Sequence, residues 1–348
     1  MSAVHEFNFH RLVGFRLETQ DIYSQQFFQS EFSHHQVESS LPGPGVSLEW
    51  NHSPLPLKPP GQYSFHMHKL LARWFYQFEF NEDRIKIAAQ GNRLALPMVH
   101  HMLVHPSLRY LCSYHGSLLL HGAAVVKNNR SLVLTGPGGA GKTTSSSILL
   151  DTGGPEWGLH ADDYVFLDHA GLSYGYLTRS HLYSDILRWV EDLGARLTRR
   201  EKFQLSLFGN IRRWSGSWVK WPVRLTPQRM WPDRQYSPQA RVAGVLILER
   251  GQGDQLELNT LDSHQVPMES LLTMNFFEAR HFIRLVKKHH PDSSEDWLDD
   301  WRARERTLLE RMTRTIPFYR LTVPAKPSDF REIRSELVDV VGPILEAV

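Results

Sequence analysis

Cysteine is almost missing from this chain: Cys112 stands alone among 348 residues. No internal disulfide is available, and no Cys/His set has the spacing of a zinc site. Long apolar runs are missing as well, so no segment reaches the roughly 18 residues that a membrane span requires. Residues 1–7 lack the basic and apolar stretches of a secretory leader. An excess of one charge is also absent, because 39 Lys and Arg face 37 Asp and Glu for a formal net charge of +2. Such a balance gives no field that would draw the chain nonspecifically to DNA or to an anionic membrane. The expected setting is therefore the cytoplasm, with neither nucleic acid nor membrane among the partners. What remains is an ordinary globular mixture, 41% hydrophobic and 22% charged, with enough apolar material for one large core or two smaller ones.

One segment dictates a chemistry. Gly136, Pro137, Gly138, Gly139, Ala140, Gly141, Lys142 and Thr143 form a complete G-x-x-x-x-G-K-[ST] phosphate loop. The glycines let several backbone N–H groups converge on phosphate oxygens, which a side chain would hold away. Lys142 is expected to reach the β and γ phosphates, and the Thr143 hydroxyl to enter the shell of a Mg²⁺ ion. The order of elements agrees, with a β-branched, apolar run at 131–135 before the loop and a helical run at 144–150 after it. The positive end of that helix adds to the site. ATP and Mg²⁺ are the expected ligands, and the nucleotide-binding set extends to Thr144.

The rest of the chain reads as an α/β protein. Residues 1–95 suggest a small N-terminal lobe in which alternating runs at 74–80 and 84–88 form antiparallel strands across the turn 81–83. Pro42, Pro44, Pro54, Pro56, Pro59 and Pro60 exclude a long helix or central strand there and suggest a strap. Residues 96–348 would form the nucleotide-binding domain. Its expected parts are a helix over 97–114 kinked or split at Pro106, a hairpin of strands 117–126 and 131–135, and strands at 157–161, 164–167 and 172–177. A helix over 181–195 follows, then an irregular insertion around 196–240. Strands at 242–248 and 255–261 are expected to pair across the turn 250–254. Helices over 270–289 and 295–313 come next, the second capped by Ser293 with Asp296, and then a strand at 318–323 and a terminal helix from 328.

A phosphate loop binds a nucleotide without saying what is done with it, so the next acidic element carries the information. Asp162 and Asp163 end the strand that follows the loop helix, twenty residues after Lys142. Phosphoryl transfer needs one carboxylate to help hold Mg²⁺ and another to orient or deprotonate an acceptor hydroxyl. An adjacent pair at a strand end can supply both, although two solvated turn aspartates would read the same way.

At this point the sequence resembles the nucleotide core of the HPr kinase/phosphorylase superfamily. The resemblance rests on Leu118-Leu119-Leu120-His121-Gly122-Ala123-Ala124-Val125-Val126, on the run into the loop, and on His160-Ala161-Asp162-Asp163-Tyr164-Val165. That superfamily includes HPr kinase-like proteins and the kinases that modify lasso peptides, with ATP-dependent phosphoenolpyruvate carboxykinase as a distant relative. The likeness is strongest over 115–168. It implies a mixed-sheet P-loop kinase core with helices around it, His121 against the transferred phosphoryl group, Asp162 as general base, and Asp163 with Thr143 at the metal. The two aspartates are interchangeable at this level, since coupled carboxylates are not separable by sequence. The reading of His121 as a core histidine at a strand end stands beside its phosphate role. The chain departs from HPr kinases in carrying Thr144 where they have a glutamate, and it lacks their glycine-rich C-terminal signature. HPr as acceptor, the reverse reaction and carboxykinase activity are therefore not expected.

Among the cations, Arg179, Arg224 and Arg241 are candidates for a clamp on the transition state, with Arg224 preferred. His66 with His68, and the doublets His34-His35, His100-His101 and His289-His290, lack a third convergent metal ligand. Trp214, Trp218, Trp221 and Trp231 interleave with Arg212, Arg213, Lys220 and Arg224. This pattern fits a substrate groove, a nucleic-acid stacking surface or, as the leading expectation, the packing of an irregular subdomain. The function expected from the sequence is an ATP-dependent kinase acting on a hydroxyl of a peptide, protein or small metabolite. A nucleotide-sensing regulatory or scaffold module and a plain NTPase are the alternatives, and a homo-oligomer is compatible with all three.

Overall fold

The computed structural model describes residues 2–39, 43–53, 65–69, 71–190, 192–216, 221–289, 296–324 and 330–346. It is a mixed α/β structure whose chain divides into two compact units. The first comprises Met1–Leu119 and Met268–Glu310, the second Leu120–Pro267 and Arg311–Val348. This differs from a division at residue 95, because 96–119 and 268–310 both belong to the first unit.

The first unit is built on a seven-stranded sheet of β1 (Ala3–Phe9), β2 (Val13–Thr19), β3 (Gln36–Val37), β4 (Gly45–His52), β5 (Phe65–Lys69), β6 (Ala72–Phe80) and β7 (Arg84–Gly91). Their order across the sheet is β3-β1-β2-β4-β7-β6-β5. The β6–β7 hairpin is antiparallel as the alternation predicts, whereas β4 lies parallel to both β2 and β7. Phe7, Phe9, Phe15, Leu17, Val46, Leu48, Trp50, Ile85 and Ile87 alternate onto the buried face of these strands. Of the proline cluster, Pro44 offers its carbonyl to the Gly14 N–H, and Pro42, Pro54, Pro56, Pro59 and Pro60 lie outside the described residues.

The helical run over 96–114 stays continuous past Pro106. A π-helical turn at His100–Val104 runs into the helix His105–Tyr114, so Pro106, which has no N–H to give back to the preceding turn, falls where the hydrogen-bond register changes. Residues 268–310 return as the helices Met268–Glu278 and Arg280–His289 and the start of Asp296–Thr315. Ser293, the expected cap of the last, lies outside the described residues. A buried ion pair ties these segments together. Arg109 donates through Nε and Nη2 to the Glu305 carboxylate at 2.8 and 2.5 Å, and it also donates to the Asn275 carbonyl. Trp301 Nε1 donates to the same carboxylate at 2.9 Å, and the guanidinium lies over the rings of Phe276 and Trp301.

The second unit holds β8 (Ser117–Lys127), β9 (Arg130–Thr135), β10 (Trp157–Ala161), β11 (Tyr164–Asp168), β12 (Leu172–Tyr174), β13 (Ser180–Leu182), β14 (Val223–Leu225), β15 (Gln239–Gly251), β16 (Glu257–Leu261) and β17 (Phe318–Pro324). β8 and β9 form the expected hairpin through Asn128 and Asn129, both at positive φ, the conformation a two-residue turn requires. β9 also lies parallel to β15. The successive pairings of β8, β9, β15, β12 and β11, with β11 back on β8, close a ring. Ser173 Oγ of β12 meets Ser131 Oγ of β9 at 2.7 Å and the buried His160 Nε2 of β10 at 2.8 Å, while His160 Nδ1 contacts the Ser237 carbonyl at 2.7 Å. His160 is thus a satisfied core residue.

Three sequence expectations fail in this unit. β16 does not pair with β15, because β17 comes from the C-terminal part of the chain and inserts between them, parallel to β15 and antiparallel to β16. The expected helix over 181–195 is instead β13, a 3₁₀ segment at Ser184–Arg188 and a short helix at Leu193–Arg196. Within the presumed irregular insertion lies a regular helix, Arg199–Trp214, opened by a complete capping box of Thr198 with Glu201. That T-x-x-E pattern was a readable start signal, masked by the near absence of a buried face: Leu205 is the helix's one buried residue. Among the described residues no helix is long and apolar enough to cross a membrane.

The Arg109–Glu305 pair generates a test of the first unit. Arg109→Met strands a buried carboxylate and should cost about 3–5 kcal/mol in urea denaturation, whereas Arg109→Met combined with Glu305→Met should recover most of that loss.

Candidate functional site

The phosphate loop leaves the end of β9 and enters the helix Lys142–Thr152. Its glycines are required for different reasons. Gly136 has φ of 147°, and a Cβ there would stand 2.6 Å from the Leu248 carbonyl oxygen of neighbouring β15, so only glycine fits. Gly139 and Gly141 are also at positive φ, 85° and 109°. A Cβ on Gly138 or Gly139 would meet nothing within 4 Å, so the outer part of the loop stands open to an approaching ligand. Lys142 is largely buried and curls back over the loop, its ammonium donating to the Gly136 and Pro137 carbonyls at 2.8 and 3.3 Å.

Asp162 and Asp163 occupy the bend between β10 and β11. Asp162 is buried with the Thr143 hydroxyl of the loop and the Ser180 side chain close to its carboxylate, yet its Oδ2 has no hydrogen-bond partner. Burial, and then the neighbouring Asp163 charge, push its pKa up to about 6. Asp163 has the opposite character. Its side chain is 29% exposed and its Oδ2 lies 3.1 Å from His181 Nδ1, while its carbonyl accepts from the Gly122 N–H at 3.1 Å.

That last bond draws the first strand of the hairpin into the same place. Gly122 faces Thr135 in the β8–β9 register, so His121 falls beside Gly136 at the mouth of the loop, and its ring stacks on Tyr164 at 5.3 Å. Thr135 Oγ1 donates to the His121 carbonyl, which fixes the strand end. Arg224 arrives by another route. It is the antiparallel partner of His181 in β13–β14, and directly opposed residues share a face with Cβ atoms about 5 Å apart. The structure therefore brings Lys142, Thr143, Asp162, Asp163 and His121 together, and places Arg224 across from the residue that pairs with Asp163.

Arg241 is excluded as a clamp. It pairs with Arg130 at the start of β9, about 20 Å of strand away from the loop that β9 feeds. Arg250, at the other end of β15, is the residue overlooked in the sequence: its Nε donates to the Gly139 carbonyl at 3.3 Å and its Nη1 to the Pro324 carbonyl at 3.2 Å. His181 is the second omission. Neither lies near a motif in the chain, and each reaches the site only through strand pairing. Among the described residues no group of three or more His, Cys, Asp or Glu is arranged to hold a metal ion. The side chains of His66 and His68, and all of His290, lie outside the described set. His35 is a buried residue whose pKa is held well below the ordinary histidine value, chiefly by burial. The tryptophan cluster divides: Trp231 is buried beneath the Arg196 guanidinium, Trp214 and Trp221 are exposed, and Trp218 with Lys220 lies outside the described residues.

Two donors fit a Mg²⁺ ion, the Thr143 hydroxyl and the Asp162 oxygen that lacks a partner. An ion of this kind needs few protein ligands when phosphate oxygens and water fill its octahedron. No protein-family model matches this chain, and no curated protein is significantly similar to it.

The raised Asp162 pKa has a defined sign. The folded protein holds this proton more tightly than the unfolded chain does, so stability falls as pH rises from about 4 through 6, by up to about 3 kcal/mol. In metal-free buffer, Asp162→Asn should therefore raise the urea midpoint at pH 7.5 and do much less at pH 4. An equal effect at both pH values would contradict the assignment.

Proposed function

We propose that the chain is an ATP-dependent kinase that moves the γ-phosphoryl group to a hydroxyl acceptor, with a mixed-sheet P-loop core related to the HPr kinase/phosphorylase superfamily. The observation that carries this reading is the unequal setting of the two aspartates. One is buried against the loop threonine and the other is accessible and paired with a histidine. A solvated turn would treat both alike.

The open amides around Gly138 and Gly139 and the start of the loop helix bind the triphosphate. Lys142 exchanges its loop carbonyls for phosphate oxygens. Thr143 and Asp162 would hold Mg²⁺, which would neutralise phosphate charge there. This reverses the roles expected for the two carboxylates, because Asp162 is too enclosed to meet an acceptor and already touches Thr143. Asp163 orients His181 with the proton on Nδ1, and the ring's Nε2 then accepts the acceptor's proton. As the acceptor oxygen bonds to the γ-phosphorus, the bond from that phosphorus to the β–γ bridging oxygen breaks, and its electron pair leaves with ADP. His121 at the loop mouth and Arg224 beside His181 are placed to stabilise charge on the moving group.

Calorimetry with ATP and Mg²⁺ tests the binding half, and intact-mass measurement with serine-containing peptides tests transfer. Lys142→Met should weaken ATP binding at least about tenfold. Asp163→Asn and His181→Ala should each lower transfer about 10²–10⁴-fold with ATP affinity nearly unchanged. Binding without transfer to any acceptor, water included, would favour the nucleotide-sensing module. Phosphate release to water alone would favour a plain NTPase.

A further inference from the structure

The helix Arg199–Trp214 buries one of its sixteen residues. Leu205 faces inward, and on the opposite side Phe203, Leu207 and Trp214 are 67%, 42% and 87% exposed. Their spacing of four and then seven residues places the three on one stripe. Exposed cations border it: Arg199 and Arg200 at its start, Lys202 and Arg213 along one side. Glu201, the helix's only acidic residue, is turned away into the Thr198 capping box and the Arg229 ion pair. A stripe of large apolar side chains framed by one sign of charge is the mark of a recognition surface rather than of a solvated helix.

Its neighbours connect it with the candidate transfer site. Near the end of the helix, Arg212 lies over the Tyr183 ring and pairs with Asp185, one and three residues after β13, the strand that carries His181. Phe208 packs edge-on against Trp221, which leads into β14 and Arg224. The stripe runs about 16 Å along the helix, the reach of about five extended residues.

We propose that this helix face docks an acidic, apolar-anchored peptide segment of the phosphate acceptor, and so selects a peptide or protein acceptor over a small metabolite. The docking role rests on the kinase reading, but peptide binding is measurable without transfer. The framing charges choose the sign of the partner, and proximity to β13–β14 favours a peptide that must present a hydroxyl over a lipid surface that need not.

The test pans a phage-displayed random dodecapeptide library on the full chain and measures the winning synthetic peptides by fluorescence anisotropy. Sequences rich in Asp and Glu with Leu, Phe or Trp should be enriched. Phe203→Ser with Trp214→Ser should weaken them at least about tenfold, as should Arg199→Glu with Arg213→Glu, while ATP binding is unchanged. All four side chains are exposed, so the fold has little at stake. Selection without an acidic bias, or affinity untouched by both double variants, overturns the proposal. Binding of wild type to vesicles of phosphatidylglycerol but to no peptide overturns it in favour of a membrane surface, and a concentration-dependent dimer abolished by Phe203→Ser with Trp214→Ser overturns it in favour of a second copy of this chain. Acidic peptides that bind as described but are never phosphorylated leave the docking surface standing and sink the kinase reading instead.

Discussion

A carboxylate kept dry beside a phosphate loop is the constraint around which the second unit is organised. Asp162 touches Thr143 only because three separate stretches meet: β9 delivers the loop, β10 delivers the aspartate, and β13 closes over it with Ser180. Keeping such a group charged in a buried place works against stability. β9, β10 and β12 are joined nearby through Ser131, His160 and Ser173, each of those polar groups hydrogen-bonded.

The two aspartates show how adjacency in sequence can hide opposite chemistry. A bend sends neighbouring side chains to different surroundings, so one is desolvated and the other meets solvent and His181. No property of the dipeptide distinguishes them. The distinction appears once β13 is placed, and β13 lies in a stretch whose periodicity suggested a helix.

What could be read from the chain follows from the range of the interactions involved. The loop, the β6–β7 and β8–β9 hairpins and the terminal helix are local, set by turn residues and periodicity over a few positions, and the structure contains them. The insertion of β17 between β15 and β16 is not local, since its hydrophobic run could pair anywhere in the sheet. Arg250 and His181 escaped for the same reason. The Arg199–Trp214 helix escaped for the opposite one: its local signal was present, but Phe203, Leu207 and Trp214 face outward, and a pattern with so little buried side resembles an irregular segment. The division of the chain was hidden as well, because Arg109 and Glu305 are far apart in sequence and join only through folding.

The posture of Lys142 bears on which anions can enter. With its ammonium already satisfied by two backbone oxygens of the loop, the side chain is a latch whose release must be compensated by whatever arrives. On the proposed reading, a lone phosphate or sulfate would offer little more than the carbonyls it displaced, whereas a polyphosphate tail would engage the lysine, the amides and the helix start together. In the proposed kinase the resting arrangement would then work as a threshold, discriminating by the length of the anionic chain before any feature of the nucleoside was sensed.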